Sequence, residues 1–272
     1  SSSYDSEGIL YAIHDTGDDV AGFPINITNS IINACPAVAD LESDGLLDII
    51  ISTRSWSDHH GWRVNIHAVD GYGTLKEGFP FTLEGENSSP VTLIDLDNDN
   101  NLELVHFVTL DATYPGSRVL VWSYEGEVIL VNSFETEGVI YGGVSVSDID
   151  GNGSMELVFN GDDEHLYVWD PILDIEPTGW PLNLGASGIS EPIIVDVDND
   201  GDLEIMCVSK SNEIHFYHHD GTSYNNFPYI SQDSIYSTPA IGDLDNDGDH
   251  EVIVGTLSDL RLIDITEEFG DR

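Results

Sequence analysis

The chain has 272 residues, of which 40% are hydrophobic, so it can bury the core of one large domain or of two small ones. Only 7 lysines and arginines oppose 51 aspartates and glutamates, and the formal net charge of -44 excludes binding to nucleic acids or anionic membranes by charge neutralisation. No apolar run approaches the roughly 20 residues that span a bilayer, so we expect neither a nucleic-acid partner nor membrane insertion.

The first predicted element is part of a repeated unit. Residues 8–27 contain two apolar runs separated by Gly and Asp residues and by Gly-Phe-Pro. In the complete units that follow, runs of this kind stand third and fourth. We therefore predict that this segment supplies the last two strands of a unit without its first two.

Five repeats follow, and each contains an acidic loop of nine residues. Short runs rich in Val or Ile flank each loop, a third run carries aromatic residues, and a weaker fourth run often follows Gly-Phe-Pro or Gly-Trp-Pro. Four short strands in about 50 residues, without helical periodicity, predict the blades of an all-β β-propeller. A β-solenoid is the alternative, but its repeats are usually shorter. The loops, numbered first to fifth below, begin at Asp40, Asp95, Asp148, Asp196 and Asp243.

These repeats predict a single β-propeller domain over residues 1–272. The C-terminal repeat supplies three strands, over residues 237–265. The sequence allows two arrangements of the ring. In the first, the ring closes as six blades with one displaced strand. In the second, which we favour, the chain is a piece of a larger ring in a longer chain with further domains. The predicted blades are a partial one at approximately 8–28 and five with acidic loops at approximately 29–83, 84–135, 136–184, 185–230 and 231–267.

The acidic loops have the ligand pattern of a calcium site. Side chains at positions 1, 3 and 5 can converge on one centre, glycine at position 6 permits the necessary left-handed backbone, position 7 offers its carbonyl, and position 9 closes the site. Ligands that are all oxygen favour Ca²⁺ over softer metals, and Mg²⁺ prefers a tighter octahedron. We predict about five structural calcium ions, with these ligands: Asp40, Glu42, Asp44, Leu46 and Asp48; Asp95, Asp97, Asp99, Asn101 and Glu103; Asp148, Asp150, Asn152, Ser154 and Glu156; Asp196, Asp198, Asp200, Asp202 and Glu204; Asp243, Asp245, Asp247, Asp249 and Glu251.

Substitutions among the loops respect this pattern. Asn152 at position 5 still offers an oxygen, and Asn100 at position 6 tolerates the left-handed region better than other non-glycine residues. Position 7 varies freely, as expected where only the backbone binds. Solvated turns would also be rich in Asp, Asn and Gly, but they would not repeat the ligand positions five times. The third loop has one carboxylate fewer, and we expect it to bind calcium most weakly.

The loop pattern D-x-D-x-D-G-x-x-[DE], seen in D-V-D-N-D-G-D-L-E from Asp196 and D-L-D-N-D-G-D-H-E from Asp243, resembles that of FG-GAP/VCBS repeats. These repeats build integrin-α-like propellers, and the resemblance extends from about residue 8 to 265, with features closer to the bacterial type. The resemblance implies that each loop joins the first and second strands of a blade, and that all five lie on one face. The metal would then be structural.

A ligand would dock on the face opposite the calcium loops. The longest candidate loops there are residues 52–62 and 109–118, where aromatic side chains accompany polar ones, a combination that suits sugar stacking or protein contact. Irregular solvated loops are the alternative. The candidate ligand-binding residues are Arg54, Trp56, His59, His60, Trp62, Tyr114 and Arg118.

The sequence contains no nucleophile-elbow, zinc-protease or phosphate-binding glycine motif. We therefore predict a non-catalytic, extracellular propeller that acts in adhesion or in carbohydrate or protein binding. Two alternatives stay open: a polysaccharide lyase-like domain of the rhamnogalacturonan lyase type, and a ligand-free spacer of a large surface protein. Cys35 and Cys207 lie among apolar residues, which favours two buried thiols over a disulfide.

Overall fold

The computed structural model describes residues 7–28, 30–32, 34–57, 61–86, 89–110, 116–198, 200–246 and 248–265, and the regular elements in these ranges are β-strands. The chain divides into two compact units, Ser1–Glu135 and Thr136–Arg272. In the described ranges, no helix has the length and apolarity needed to cross a membrane.

The first unit begins with a short antiparallel pair and continues with a five-stranded sheet. The pair confirms the prediction of two strands within residues 8–27. In the sheet, both β3 and β4 pair with β5, and β5, β6 and β7 follow in order. The strands are β1 (Gly8–Leu10) and β2 (Ile25–Ile27) in the pair, and β3 (Ile31–Ile32), β4 (Ala37–Ala39), β5 (Asp48–Ser57), β6 (Gly61–Val69) and β7 (Phe81–Glu84) in the sheet.

The next sheet has four antiparallel strands in sequence order. These are β8 (Thr92–Ile94), β9 (Glu103–Thr109), β10 (Ser117–Tyr124) and β11 (Val128–Thr136). Here the last strand follows a tight turn at Gly126, whose φ is 83°, in place of a Phe-Pro turn. This sheet therefore keeps the predicted four strands but reaches the fourth by a shorter connection.

The described residues of the second unit form two four-stranded sheets and one three-stranded sheet, all antiparallel and all in sequence order. The three-stranded sheet matches the prediction that the C-terminal repeat supplies three strands. The strands are β12 (Ser145–Ser147), β13 (Glu156–Asn160), β14 (His165–Trp169) and β15 (Leu182–Asn183); β16 (Ile193–Val195), β17 (Glu204–Val208), β18 (Glu213–His218) and β19 (Tyr229–Ile230); and β20 (Ala240–Gly242), β21 (Glu251–Gly255) and β22 (Leu260–Asp264).

The second strand of a sheet is its most buried element. Every residue of β9, β13 and β17 is buried, which explains why these strands are mostly apolar on both faces and do not alternate between apolar and polar residues. In the first unit, one hydrophobic core joins two neighbouring sheets, with Ile50 and Val64 from one and Leu104 and Val108 from the other. The strands thus form stacked sheets of the blade type, which is the all-β fold that the sequence predicts.

A turn with one repeated geometry precedes four of the short last strands. It contains a cis peptide bond at Phe23-Pro24, Phe79-Pro80, Trp180-Pro181 and Phe227-Pro228. Gly179, at the start of one copy, has a φ of 105°, and an added Cβ would lie 2.3 Å from the backbone oxygen of Asp220. Both the backbone angle and the close approach therefore require glycine here.

The two cysteines differ in their surroundings. Cys207 is buried in β17, as expected, whereas Cys35 is exposed, and both are free thiols. The expectation is wrong for Cys35 because it precedes β4 in a connecting segment rather than within a buried strand. The single domain over residues 1–272 and the six blade boundaries stay predictions.

Candidate metal loops and ligand cavity

In four sheets the acidic loop joins the first strand to the second, and in the five-stranded sheet it joins β4 to β5. The connections are β4 to β5, β8 to β9, β12 to β13, β16 to β17 and β20 to β21. This is the placement that the family resemblance implies. Because the position-9 residue is the first residue of the following strand, its carboxylate is anchored by the sheet.

The same hydrogen bond closes all five loops. The carboxylate at position 9 accepts from the backbone amide at position 2, and the residue that carries it is buried in every loop. The distances are 3.1 Å for Leu41 to Asp48, 2.8 Å for Leu96 to Glu103, 2.9 Å for Ile149 to Glu156, 3.0 Å for Val197 to Glu204 and 2.7 Å for Leu244 to Glu251.

The aspartate at position 1 stabilises the curved backbone of the loop. In the fourth loop, the two carboxylate oxygens of Asp196 accept from the amides of Asp200 at 3.2 Å and Gly201 at 3.1 Å. The first three loops make the same pair of bonds, at 2.7–3.1 Å. In the fifth loop Asp247, a predicted ligand, lies outside the described residues. The curl therefore follows from the sequence and draws the side-chain oxygens together.

Two positions in the loop adopt the left-handed backbone, not one. Position 6 does so as predicted, with φ between 72° at Asn100 and 105° at Gly248. Position 4 does so as well, at Ser43, Asn98, Gly151 and Asn246, with φ between 54° and 71°. Sequence reasoning missed position 4, although its Asn and Gly residues are the types that tolerate this region.

Carboxylate oxygens converge in four of the loops. In each group below, one oxygen per residue lies within 4.8 Å of the others: Asp95, Asp97 and Asp99; Asp148, Asp150 and Glu156; Asp196, Asp198 and Glu204; Asp243, Asp245 and Glu251. A further group, which the sequence did not indicate, joins Asp249 and Glu251 to Asp264 of β22. Cross-strand pairing brings Asp264 opposite Glu251, a relationship that only the register reveals.

The buried glutamates of these loops fit a divalent cation. Burial raises the pKa of Glu103 and Glu156 to about 7, even though the loop amide bond acts in the opposite direction. Glu156 is fully buried, and its Oε1 atom has no hydrogen-bond partner among the described residues. A buried carboxylate oxygen without a donor is costly, and a cation bound by Asp148, Asp150 and Glu156 would satisfy it. The loops would supply hard oxygen ligands that suit Ca²⁺.

A lysine from the connection between β6 and β7 reaches the first loop. The Nζ atom of Lys76 donates to Asp48 Oδ1 at 2.7 Å and to Glu42 Oε2 at 2.9 Å. The lysine and Asp48 side chains are 9% and 3% exposed. Burial alone would lower the pKa of Lys76, but its bonds to these carboxylates more than offset this and raise it. An ammonium therefore bridges the ligands at positions 3 and 9, where the other loops have converging carboxylates.

Among the described candidate residues of segment 52–62, Arg54, Trp56 and Trp62 lie on strands, so the prediction that this part of the segment is a loop is wrong. Strand β5 continues to Ser57 and β6 resumes at Gly61, and Trp56 is directly paired with Trp62. Antiparallel pairing places both tryptophans on one face of the hairpin, with ring centroids 5.4 Å apart. Arg54 belongs to the same face, and its guanidinium lies 4.9 Å from the Trp62 ring centroid.

A cavity of about 470 Å³ gathers residues from both predicted ligand segments. We call it the hairpin cavity, and all of it lies in the first unit. Trp56, Trp62 and Arg118 were predicted, whereas the cavity's three glutamates were missed because single carboxylates carry no signal in so acidic a chain. The predicted residues His59, His60 and Tyr114 lie outside the described residues. The cavity is lined by Trp56, Gly61, Trp62, Arg63, Glu84, Gly85, Glu86, Leu110, Arg118 and Glu135.

Two ion pairs form part of the hairpin cavity's wall. Arg63 donates to Glu84 Oε1 at 3.0 Å and to the backbone oxygen of Trp62 at 3.1 Å. Arg118 donates from Nε to Glu135 Oε1 at 2.8 Å. The cavity therefore combines an aromatic surface with donors and acceptors that are already oriented.

Comparison with known proteins supports the family resemblance and the fold. Residues 196–254 match the model of the FG-GAP-like repeat, a range that includes the fourth and fifth acidic loops. No curated protein matches the sequence significantly.

Among solved structures, the chain is similar to the V. cholerae biofilm matrix protein Bap1, with a TM-score of 0.57 and 18% identity over 86% of this chain. It spans only 38% of the Bap1 chain. A second similarity is to BBS1N, solved in complex with ARL6DN, with a TM-score of 0.47, 15% identity and coverage of 93% and 82%. The similarity to Bap1 confirms the fold class as a β-propeller with four-stranded blades.

Proposed function

We propose that this chain is a calcium-stabilised, non-catalytic β-propeller that binds a glycan or protein outside the cell. The observation that carries the binding role is the hairpin cavity, which brings Trp56 and Arg118 together from segments about sixty residues apart. Exposed aromatic rings beside oriented polar groups are typical of recognition sites.

Calcium would act as a structural ion in the loops. Four loops hold converging carboxylates, and such groups repel one another until a cation binds. Because a cation that binds the folded chain alone adds its binding free energy to folding, the loops would be stabilised by the calcium of an extracellular medium. The similarity to a biofilm matrix protein supports an extracellular location and a role in adhesion.

A binding role suits the hairpin cavity better than catalysis. Two of its three glutamates are each held in an ion pair with an arginine rather than left as a free carboxylate pair for acid–base chemistry, and the described lining residues include no serine, cysteine or histidine. Lysis of acidic polysaccharides would need a basic cleft, whereas the described lining has three glutamates against two arginines.

The test applies the labelled full chain, in calcium buffer, to a glycan array and to immobilised matrix proteins. We expect binding that Trp56→Ala weakens at least roughly tenfold and that Tyr236→Ala leaves intact, since Tyr236 is an even more exposed aromatic residue and lies in the second unit. Equal binding by wild type and Trp56→Ala would contradict the proposed site. Release of unsaturated sugars from pectin-type polymers would overturn the non-catalytic assignment.

A further inference from the structure

We infer that the hairpin cavity takes an uncharged saccharide, stacked on Trp56 and hydrogen-bonded to the arginine–glutamate pairs. This inference rests on the proposed binding function and names its ligand class. Three features of the cavity carry it: an exposed aromatic wall, mixed donors and acceptors, and the balance of charge.

The aromatic wall is held in position and partly exposed. Trp56 is 45% exposed, and the edge-to-face contact with Trp62 fixes its orientation. Trp62 is in turn covered by the guanidinium of Arg54. Gly61, with a φ of 71°, lets the hairpin turn back beside the Trp56 ring. A rigid ring with an open surface suits the flat C–H face of a pyranose, which loses little entropy on stacking.

The polar wall suits hydroxyl groups. A sugar hydroxyl both donates and accepts hydrogen bonds, so it can accept from a guanidinium and donate to the neighbouring carboxylate. The pairs Arg63–Glu84 and Arg118–Glu135 present both kinds of group side by side. Because each arginine is already bound to a carboxylate, the groups are oriented before the ligand arrives.

The charge of the cavity disfavours an anionic ligand. The described lining carries two arginines and three glutamates, so it has no spare positive charge, and the chain as a whole has a net charge of -44. A uronic acid or acidic peptide would be repelled. The volume of about 470 Å³ lies within the range of small-ligand sites, which favours a short stretch of sugar over a broad protein surface.

The experiment is a calorimetric titration of the full chain, in calcium buffer, with cellohexaose, mannohexaose, maltohexaose, tri-galacturonate and a lysine-rich peptide. We expect at least one neutral hexaose to bind and tri-galacturonate not to bind. Trp56→Ala should weaken binding at least roughly tenfold, whereas Trp56→Phe, which keeps an aromatic face, should weaken it less. Tyr236→Ala serves as the control, and thermal melting establishes that each variant is folded.

Two further substitutions test the polar wall. Glu135→Gln removes a charge but keeps an acceptor, so binding of the neutral sugar should be retained within a few-fold. Arg118→Met removes the donors and should weaken it more strongly.

The possible outcomes distinguish a failure of the saccharide inference from a failure of the proposed binding function. Trp56-dependent binding of tri-galacturonate or of the peptide, without binding of a neutral sugar, would overturn the saccharide inference and leave the binding function standing. Neutral-sugar binding that Trp56→Ala does not affect would overturn the site. If neither these probes nor the glycan array and matrix proteins bind, the proposed function fails as well.

Discussion

The ammonium of Lys76 lies 2.7 Å from Oδ1 of Asp48, the closing carboxylate of the first acidic loop. It also lies 2.9 Å from Oε2 of Glu42, and Tyr124 donates a hydrogen bond to the other oxygen of that glutamate. One internal cation thus bridges two of the four carboxylates that would otherwise surround a metal ion. The negative charge of the first loop is therefore partly compensated by the protein itself.

We predict that the chain binds four calcium ions tightly and that Lys76→Met adds a fifth. Without calcium, the variant should lose on the order of 3 kcal/mol of stability, because the buried Asp48 carboxylate loses its partner; calcium should restore part of that loss. Lys76→Arg, which keeps the charge, is the matched control. Equilibrium dialysis gives the stoichiometry, and five tight ions in the wild type would contradict the prediction.

Removal of calcium should lower the melting temperature by many degrees. Each ion at a hundred times its dissociation constant stabilises the folded chain by about 2.7 kcal/mol, and four loops contribute. Calorimetric melting with and without a chelator measures the effect, and added Mg²⁺ should restore less stability than Ca²⁺ because it demands tighter geometry. An unchanged melting curve after chelation would rule out a structural role for calcium.

The third and fourth loops offer a reciprocal test of ligand charge. The side chain at position 5 has the same geometry in both, since Asn152 accepts from the Ser154 amide at 2.7 Å and Asp200 from the Asp202 amide at 2.9 Å. Asn152→Asp should therefore strengthen calcium binding in the third loop, and Asp200→Asn should weaken it in the fourth, each by roughly tenfold. Terbium luminescence titrations would measure both, and shifts in the same direction would contradict the ligand assignment.

Protonation of His106 should destabilise the first unit in acid. The side chain is buried, its Nδ1 atom lies 2.8 Å from Ser89 Oγ, and burial lowers its pKa to about 4. Because the unfolded chain binds the proton near pH 6.5, this group's stabilisation is complete above that pH and falls as the pH drops towards 4, by about 3 kcal/mol in total.

The measurement compares the pH dependence of urea unfolding in the wild type and in His106→Asn, both at saturating calcium. Asparagine retains a polar group near the Nδ1 position but does not titrate. The wild type should lose more stability than the variant between pH 6.5 and 4, since the carboxylates are common to both chains. Parallel pH profiles would show that His106 is not buried in its neutral form.

The sequence by itself determined the repeat and the loops. Apolar runs at regular spacing require short strands that cover one another, so the four-stranded sheets could be predicted without a structure. The loop curl is equally local, because Asp196 binds amides only four and five residues away. Backbone angles at position 4 were missed only because their signal is spread over Ser43, Asn98 and Gly151 rather than one residue type.

The tertiary structure decided which groups meet across strands and sheets. Lys76 lies in the connection after β6 and reaches Asp48, the first residue of β5. No local sequence pattern indicates that these two residues meet. Trp56 faces Trp62 through the hairpin register, and Arg118 joins them only because two sheets stack. Local hydrogen bonds and periodicity follow from neighbours in the chain, whereas charge compensation and cavities depend on long-range packing, which the sequence specifies only collectively.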